Sequence, residues 1–119
     1  MVRRVGDDFQ SSNPNERVLM KWAVIDSRPF LHYLQYLTFR DLGLIHRELQ
    51  AFRALRDSII DGQRQHQLFH AETAANLFAH CLEMEGQIDD ALGIYSVSQA
   101  AKPRNNAANL HIQRLANVL

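Results

Sequence analysis

Six histidines stand in this chain, and three of them, His66, His70 and His80, lie close together. Imidazoles four residues apart share a helix face, so His66 and His70 could in principle begin a metal site. Zinc needs three or four ligands. His80, ten positions beyond His70, falls about 80° round and ~15 Å further along the same helix, out of reach. The stretch His70-Ala71-Glu72-Thr73 lacks the second histidine of an HExxH site. These spacings describe surface histidines rather than ligands. Cys81 beside His80 supplies a thiol and a base, but helix neighbours point about 100° apart and do not meet. Cys81 falls on an apolar stripe and reads as a small core residue. The five glycines are scattered, with no phosphate-cradling loop. Glu83, Glu85, Asp89 and Asp90 read as helix-end and surface acids. The expectation is a non-catalytic chain with no catalytic residue, no metal and no cofactor.

Whatever else these residues do must be positioned by helices. No run of alternating β-branched residues competes with helical periodicity anywhere. Residues 1–13 are polar and read as a flexible arm. A domain over 14–119 follows. Asn13-Pro14 offers a helix start, and Val18, Leu19, Trp22 and Ile25 give an N-terminal helix within 14–26. Ser27-Arg28-Pro29 signals a second start, and the next segment, Phe30 to Leu42, is apolar on most faces. Gly43 caps it. Ile45, Leu49, Phe52, Leu55 and Ile59 make the stripe of a following helix that stops near Asp61-Gly62. Residues 63–70 read equally as a loop or as an early extension of the next helix. That helix covers about 71–85, with Ala74, Leu77, Phe78, Cys81 and Leu82 on its apolar face, and Gly86 stops it. Another runs from Ile88 to the region of Lys102-Pro103, and a last covers 105–118.

The formal charge is zero, with 46% hydrophobic and 22% charged residues. That balance fits one ordinary globular domain and provides no basic face for nucleic acid. No apolar run approaches the ~18 residues of a membrane span. The first residues lack the apolar stretch of a secretory signal. A single cysteine suits a reducing compartment, so a cytoplasmic location is expected.

The helices repeat. Setting Gly43 over Gly86 brings Leu34 onto Leu77, Phe39 onto Leu82, Ile45 onto Ile88, Leu49 onto Leu92 and Phe52 onto Tyr95. The tetrapeptide Ala-Ala-Asn-Leu occurs at 74–77 and again at 107–110, 33 residues later, and the same shift carries Leu82 onto Leu115. The best unit, 72–104, places small Ala79 and Ala91 in facing helices, Gly86 at the turn, Tyr95 at a large aromatic position, Ser98 one turn on and Pro103 at the end. In these residues the chain resembles the tetratricopeptide repeat family. The resemblance covers roughly 29–119. It departs from the pattern where Tyr36, Glu48 and Ile112 stand at positions that usually hold small residues. It implies an all-α fold of about six helices, stacked as antiparallel pairs in a short right-handed superhelix. The pairs would be 29–62 and 71–104, with 105–119 as a terminal capping helix.

The resemblance also implies a concave groove lined by the first helix of each pair. Its residues would be Tyr33, Leu37 and Arg40, then Thr73, Asn76, His80 and Glu83, then Asn106, Asn109 and Gln113. Asn76 and Asn109 would form a short row, and an asparagine offers both a donor and an acceptor to an extended peptide backbone. His80 and Gln113 replace residues that a carboxylate-clamping set requires. The expected function is a protein–protein interaction module that holds a peptide or partner segment in the groove. The alternative is a self-association module forming a homodimer through its exposed last helix, with Leu110, Ile112, Leu115 and Val118 at the contact. A third reading is a piece of a longer array. No nucleic acid and no membrane enters any of these readings.

Overall fold

A computed structural model describes residues 14–65, 68 and 70–118, with side chains from 27 onward. The expected arm, His66 of the histidine pair, and part of the 63–70 connection lie outside the described residues. Among those described, the chain is all-α, with five helices and no strand: α1 (Pro14–Asp41), α2 (Ile45–Arg64), α3 (Ala71–Met84), α4 (Ile88–Ala101) and α5 (Ala108–Val118).

Five helices stand where six were expected, because α1 continues through Ser27-Arg28-Pro29. An internal proline forfeits one backbone hydrogen bond and crowds the preceding turn, at about 3 kcal/mol. Here the Pro29 ring is buried, in a groove it shares with Ala74 and Leu77 of α3. That apolar contact offsets part of the loss. The local signal for a break is outweighed by a tertiary contact.

Both α1–α2 and α3–α4 are helical hairpins closed by the same device. Gly43 and Gly86 adopt φ of 72° and 83°, a conformation that only glycine takes without strain. In the first turn Leu44 N–H donates to Phe39 O and Gly43 N–H to Arg40 O; in the second, Gln87 N–H donates to Leu82 O and Gly86 N–H to Glu83 O. This paired closure satisfies carbonyls that a helix end leaves open. Asp89 and Asp90 occupy the first turn of α4, where the helix dipole favours negative charge.

The core has two parts. Tyr36, Ala51, Leu55, Ile59, Ala74 and Cys81 form one, between α1, α2 and α3. Ala79, Leu82, Ala91, Tyr95, Ala108 and Leu115 form the other, between α3, α4 and α5. Ala79 and Ala91 are both fully buried, so the small residues expected between facing helices do lie there. Tyr36 is also fully buried, and its phenol donates to Glu85 at the end of α3. Arg40 binds the same helix end, donating to Met84 O at 3.0 Å and lying 3.4 Å from Glu85 Oε1 and 3.8 Å from Glu48 Oε2. The α2 helix ends at Arg64, beyond the expected stop, and Leu68 folds back over Gly62.

Candidate functional site

A cleft of ≈ 380 Å³ opens between α1, α3 and the segment that leads into α5; Tyr33, Asn76, His80, Asn106 and His111 are among its walls. Its organiser is Asn106, only 7% exposed. The Asn106 Nδ2 donates to Ser98 O, Ser98 Oγ and Lys102 O, all at 3.0 Å. With its amide thus oriented, Oδ1 accepts from Ala108 N–H at 2.9 Å and from Asn76 Nδ2 at 2.8 Å. The first of these two bonds caps the start of α5. The second fixes the Asn76 amide with its nitrogen toward Asn106. The Asn76 Oδ1 is buried and has no partner among the described residues. Such an atom is rare in a folded protein and costly to leave unmatched. Asn105, just before, holds φ of 53°, a left-handed conformation that asparagine tolerates better than most residues.

The opposite wall is a chain of rings. Tyr33 Oη and His80 Nδ1 are 2.8 Å apart. His80 and His111 have ring centroids separated by 6.0 Å, and His111 stacks on Tyr95 at 4.8 Å with 10° between planes. Behind them, Tyr95 Oη donates to Glu83 Oε2 at 2.7 Å, and Arg114 donates to Glu83 Oε1 at 2.6 Å and to His111 Nδ1 at 2.9 Å.

These contacts set the protonation states. Burial pushes the Tyr33 and Tyr95 phenols above their usual range, and for Tyr95 the bonded Glu83 carboxylate adds to it. Burial also works to raise the Glu83 carboxyl, but the hydrogen bonds from Tyr95 and Arg114 and the Arg114 charge outweigh it and hold Glu83 low. Burial lowers the His111 imidazole, as do Arg114 and His80, against the pull of Glu83. Burial carries the Cys81 thiol up to about 12, so this cysteine is protonated and unreactive at neutral pH.

Of the groove residues expected from sequence, Tyr33, Thr73, Asn76, His80 and Asn106 line the cleft. Leu37 and Gln113 stand away from it, and Arg40 is engaged at the end of α3. Glu83 lies behind the ring wall. Asn109 turns to α4, accepting from Gln99 Nε2 at 2.9 Å and donating to Pro103 O at 3.0 Å. Asn76 is therefore paired with Asn106, and the expected Asn76–Asn109 row is replaced by that bond. His111 and Lys102 were not anticipated. The repeat held no signal for His111, since the 33-residue shift lays it over Phe78, which packs on the core. On α5, Leu115 is buried and Ile112 packs against the second core, while Leu110 and Val118 are 72% and 77% exposed.

Compared with family models, with curated proteins and with solved structures, the chain finds no match. Among the described residues no helix is long and apolar enough to cross a membrane, and no three histidine, cysteine or acidic side chains are grouped to hold a metal ion.

Proposed function

We propose that this chain is a non-catalytic, tetratricopeptide-like interaction module that takes a segment of a partner protein into the cleft between Tyr33, Asn76 and His80. The reading is carried by one atom, the buried Asn76 Oδ1 without a hydrogen-bond partner among the described residues. A main-chain N–H of a bound segment would satisfy it once the side chains that cover the atom move aside. A second groove, lined by Pro29, Phe30, Ala74 and Leu77, shares Thr73 and Leu77 with the cleft. An apolar side chain of the same segment would fit there. The lone buried Cys81 suits a reducing compartment, and we place the module in the cytoplasm.

The test is an NMR titration of the isotope-labelled chain with acetylated, amidated tetrapeptides bearing Leu, Phe, Gln or Tyr at the second position. Shifts should concentrate on Thr73, Asn76 and His80, and Asn76→Ala should weaken binding about tenfold, the effect of one lost hydrogen bond to a buried acceptor. Shifts elsewhere, or unchanged affinity in a variant of intact helicity, would discard the reading.

Homodimerisation is a second reading, supported by the exposed Leu110 and Val118 on α5. Leu110→Glu with Val118→Glu should then abolish any concentration-dependent mass in sedimentation. A wild-type mass that stays monomeric at every concentration ends that reading. Leu115 is no probe of it, because its side chain lies in the core.

A further inference from the structure

We infer that the cleft holds uncharged, hydrogen-bond-donating groups and releases them on mild acidification, with His111 as the switch. This inference rests on the cleft being the binding site, as proposed above, and adds the class of ligand and its control.

The charge pairing around the cleft gives no preference for an anionic ligand at neutral pH. Lys102 Nζ is 3.6 Å from Glu72 Oε1, and Arg114 is bound to Glu83. Lys102 and Arg114 are thus matched by carboxylates. Asn76 Oδ1, which has no partner among the described residues, is an acceptor, which repels a carboxylate or a phosphate and asks for an N–H or O–H.

The switch follows from the donor count. A guanidinium can only donate. His111 Nδ1 lies 2.9 Å from Arg114 Nη2, so it must accept, and the ring is neutral with its proton on Nε2. Protonating Nδ1 would set two donors and two positive charges against each other at that distance. Either Arg114 leaves or the ring does. Both belong to a closed circuit: Arg114 to Glu83, Glu83 to Tyr95, Tyr95 stacked on His111. That circuit ties α5 to α3 and α4, and the start of α5 carries the Asn105–Ala107 wall of the cleft. The groups facing His111 are His80 and Glu83 from α3, Tyr95 from α4 and Arg114 from α5; Tyr33 of α1 reaches His80. Only Glu83 favours the imidazolium. Burial, Arg114 and His80 oppose it. Histidine is the side chain whose charge changes nearest neutrality, and with His111 held below its ordinary value the circuit stays closed at neutral pH and opens on the acid side of that value.

Two readouts test the inference. The first is the affinity of the wild-type chain for the capped tetrapeptides at pH 7.5 and 5.5. The binding-competent fraction falls as His111 protonates, so the affinity should be lower at pH 5.5 than at pH 7.5 and fall further at pH 5.0. His111→Asn keeps an acceptor that does not titrate, and its ratio between the two pH values should be near one, whatever its absolute affinity. His80→Asn should keep the acid loss. The second readout needs no ligand. Amide protection across α5, corrected for intrinsic exchange rates, should fall on acidification in wild type and stay level in His111→Asn.

A flat wild-type affinity, or an acid loss undiminished in His111→Asn, overturns the switch and leaves peptide capture standing. Preference for a free-carboxylate peptide over its capped form at pH 7.5 overturns the ligand class. Should no peptide move the cleft resonances at either pH, capture itself fails, and with it this inference. Imidazole nitrogen shifts that put the His111 proton on Nδ1 at pH 7.5 overturn the switch without any variant.

Discussion

Replacing Asn106 by alanine removes five hydrogen bonds at once. Ser98 O loses little, because Lys102 N–H also donates to it. The Ala108 N–H loses its cap, a change worth about 1 kcal/mol. Lys102 O and the Asn76 amide nitrogen are left short of partners in partly or wholly buried surroundings, at about 1 kcal/mol each. The sum is about 3 kcal/mol, or a fall of roughly 10 °C in Tm for a chain of this size. Urea unfolding followed by far-UV circular dichroism measures it, and the midpoint should move while the slope stays constant. Asn106→Asp separates donor from acceptor roles. It keeps the bonds to Ala108 and Asn76, but sets a carboxylate against Ser98 O and Lys102 O. It should be at least as damaging as alanine at pH 7, and recover as the carboxyl is protonated. An alanine cost below about 1 kcal/mol, or an aspartate variant close to wild type, would refute the assignment of Asn106 as the organiser of the cleft.

Three further outcomes follow from particular contacts. A Cβ at Gly62 would lie 2.6 Å from Leu68 Cγ, so Gly62→Ala should cost about 1 kcal/mol despite alanine's better helix propensity, and turn stabilising in a Leu68→Ala background; additive effects in chemical denaturation would refute that packing. Cys81 should resist a thiol reagent in native buffer and react fully in denaturant; fast native labelling would contradict its burial. Tyr95→Phe should raise the Glu83 pKa, since it removes a donor that holds the carboxylate ionised. A carboxyl held low in the folded state contributes stability that is present above its unfolded pKa and lost as pH falls through the folded one. The variant should therefore lose that stability at higher pH than wild type, as acid titration of the Glu83 carbon resonance and of stability would show.

The helices were legible because their stops are chemical. Gly43 and Gly86 demand a left-handed turn, and both provide one. Ala79, Ala91 and Ser98 were legible because close helix contact needs small residues in facing positions, Tyr95 because the repeat lays it on the aromatic Phe52, and all four are buried. Pro29 misled, because its burial against α3 depends on residues more than forty positions later in the chain. The repeated tetrapeptide misled more subtly. Asn76 is the sixth residue of α3, whereas Asn109 is the second of α5. Identical strings thus sit at different distances from their helix starts. A first-turn asparagine reaches back to the preceding loop, so the role of hydrogen-bond partner passed to Asn106. No periodicity argument registers that shift, because it depends on where the last helix begins.

The pair Phe52 and Phe78 stacks at 5.2 Å between centroids, and both rings pack against the first core and the second. Two hairpins joined only by short turns would melt independently, each at its own temperature. Rings that belong to both cores make each half's order a condition of the other's. The chain should therefore unfold as one cooperative unit, and truncating either ring should split a single transition in two.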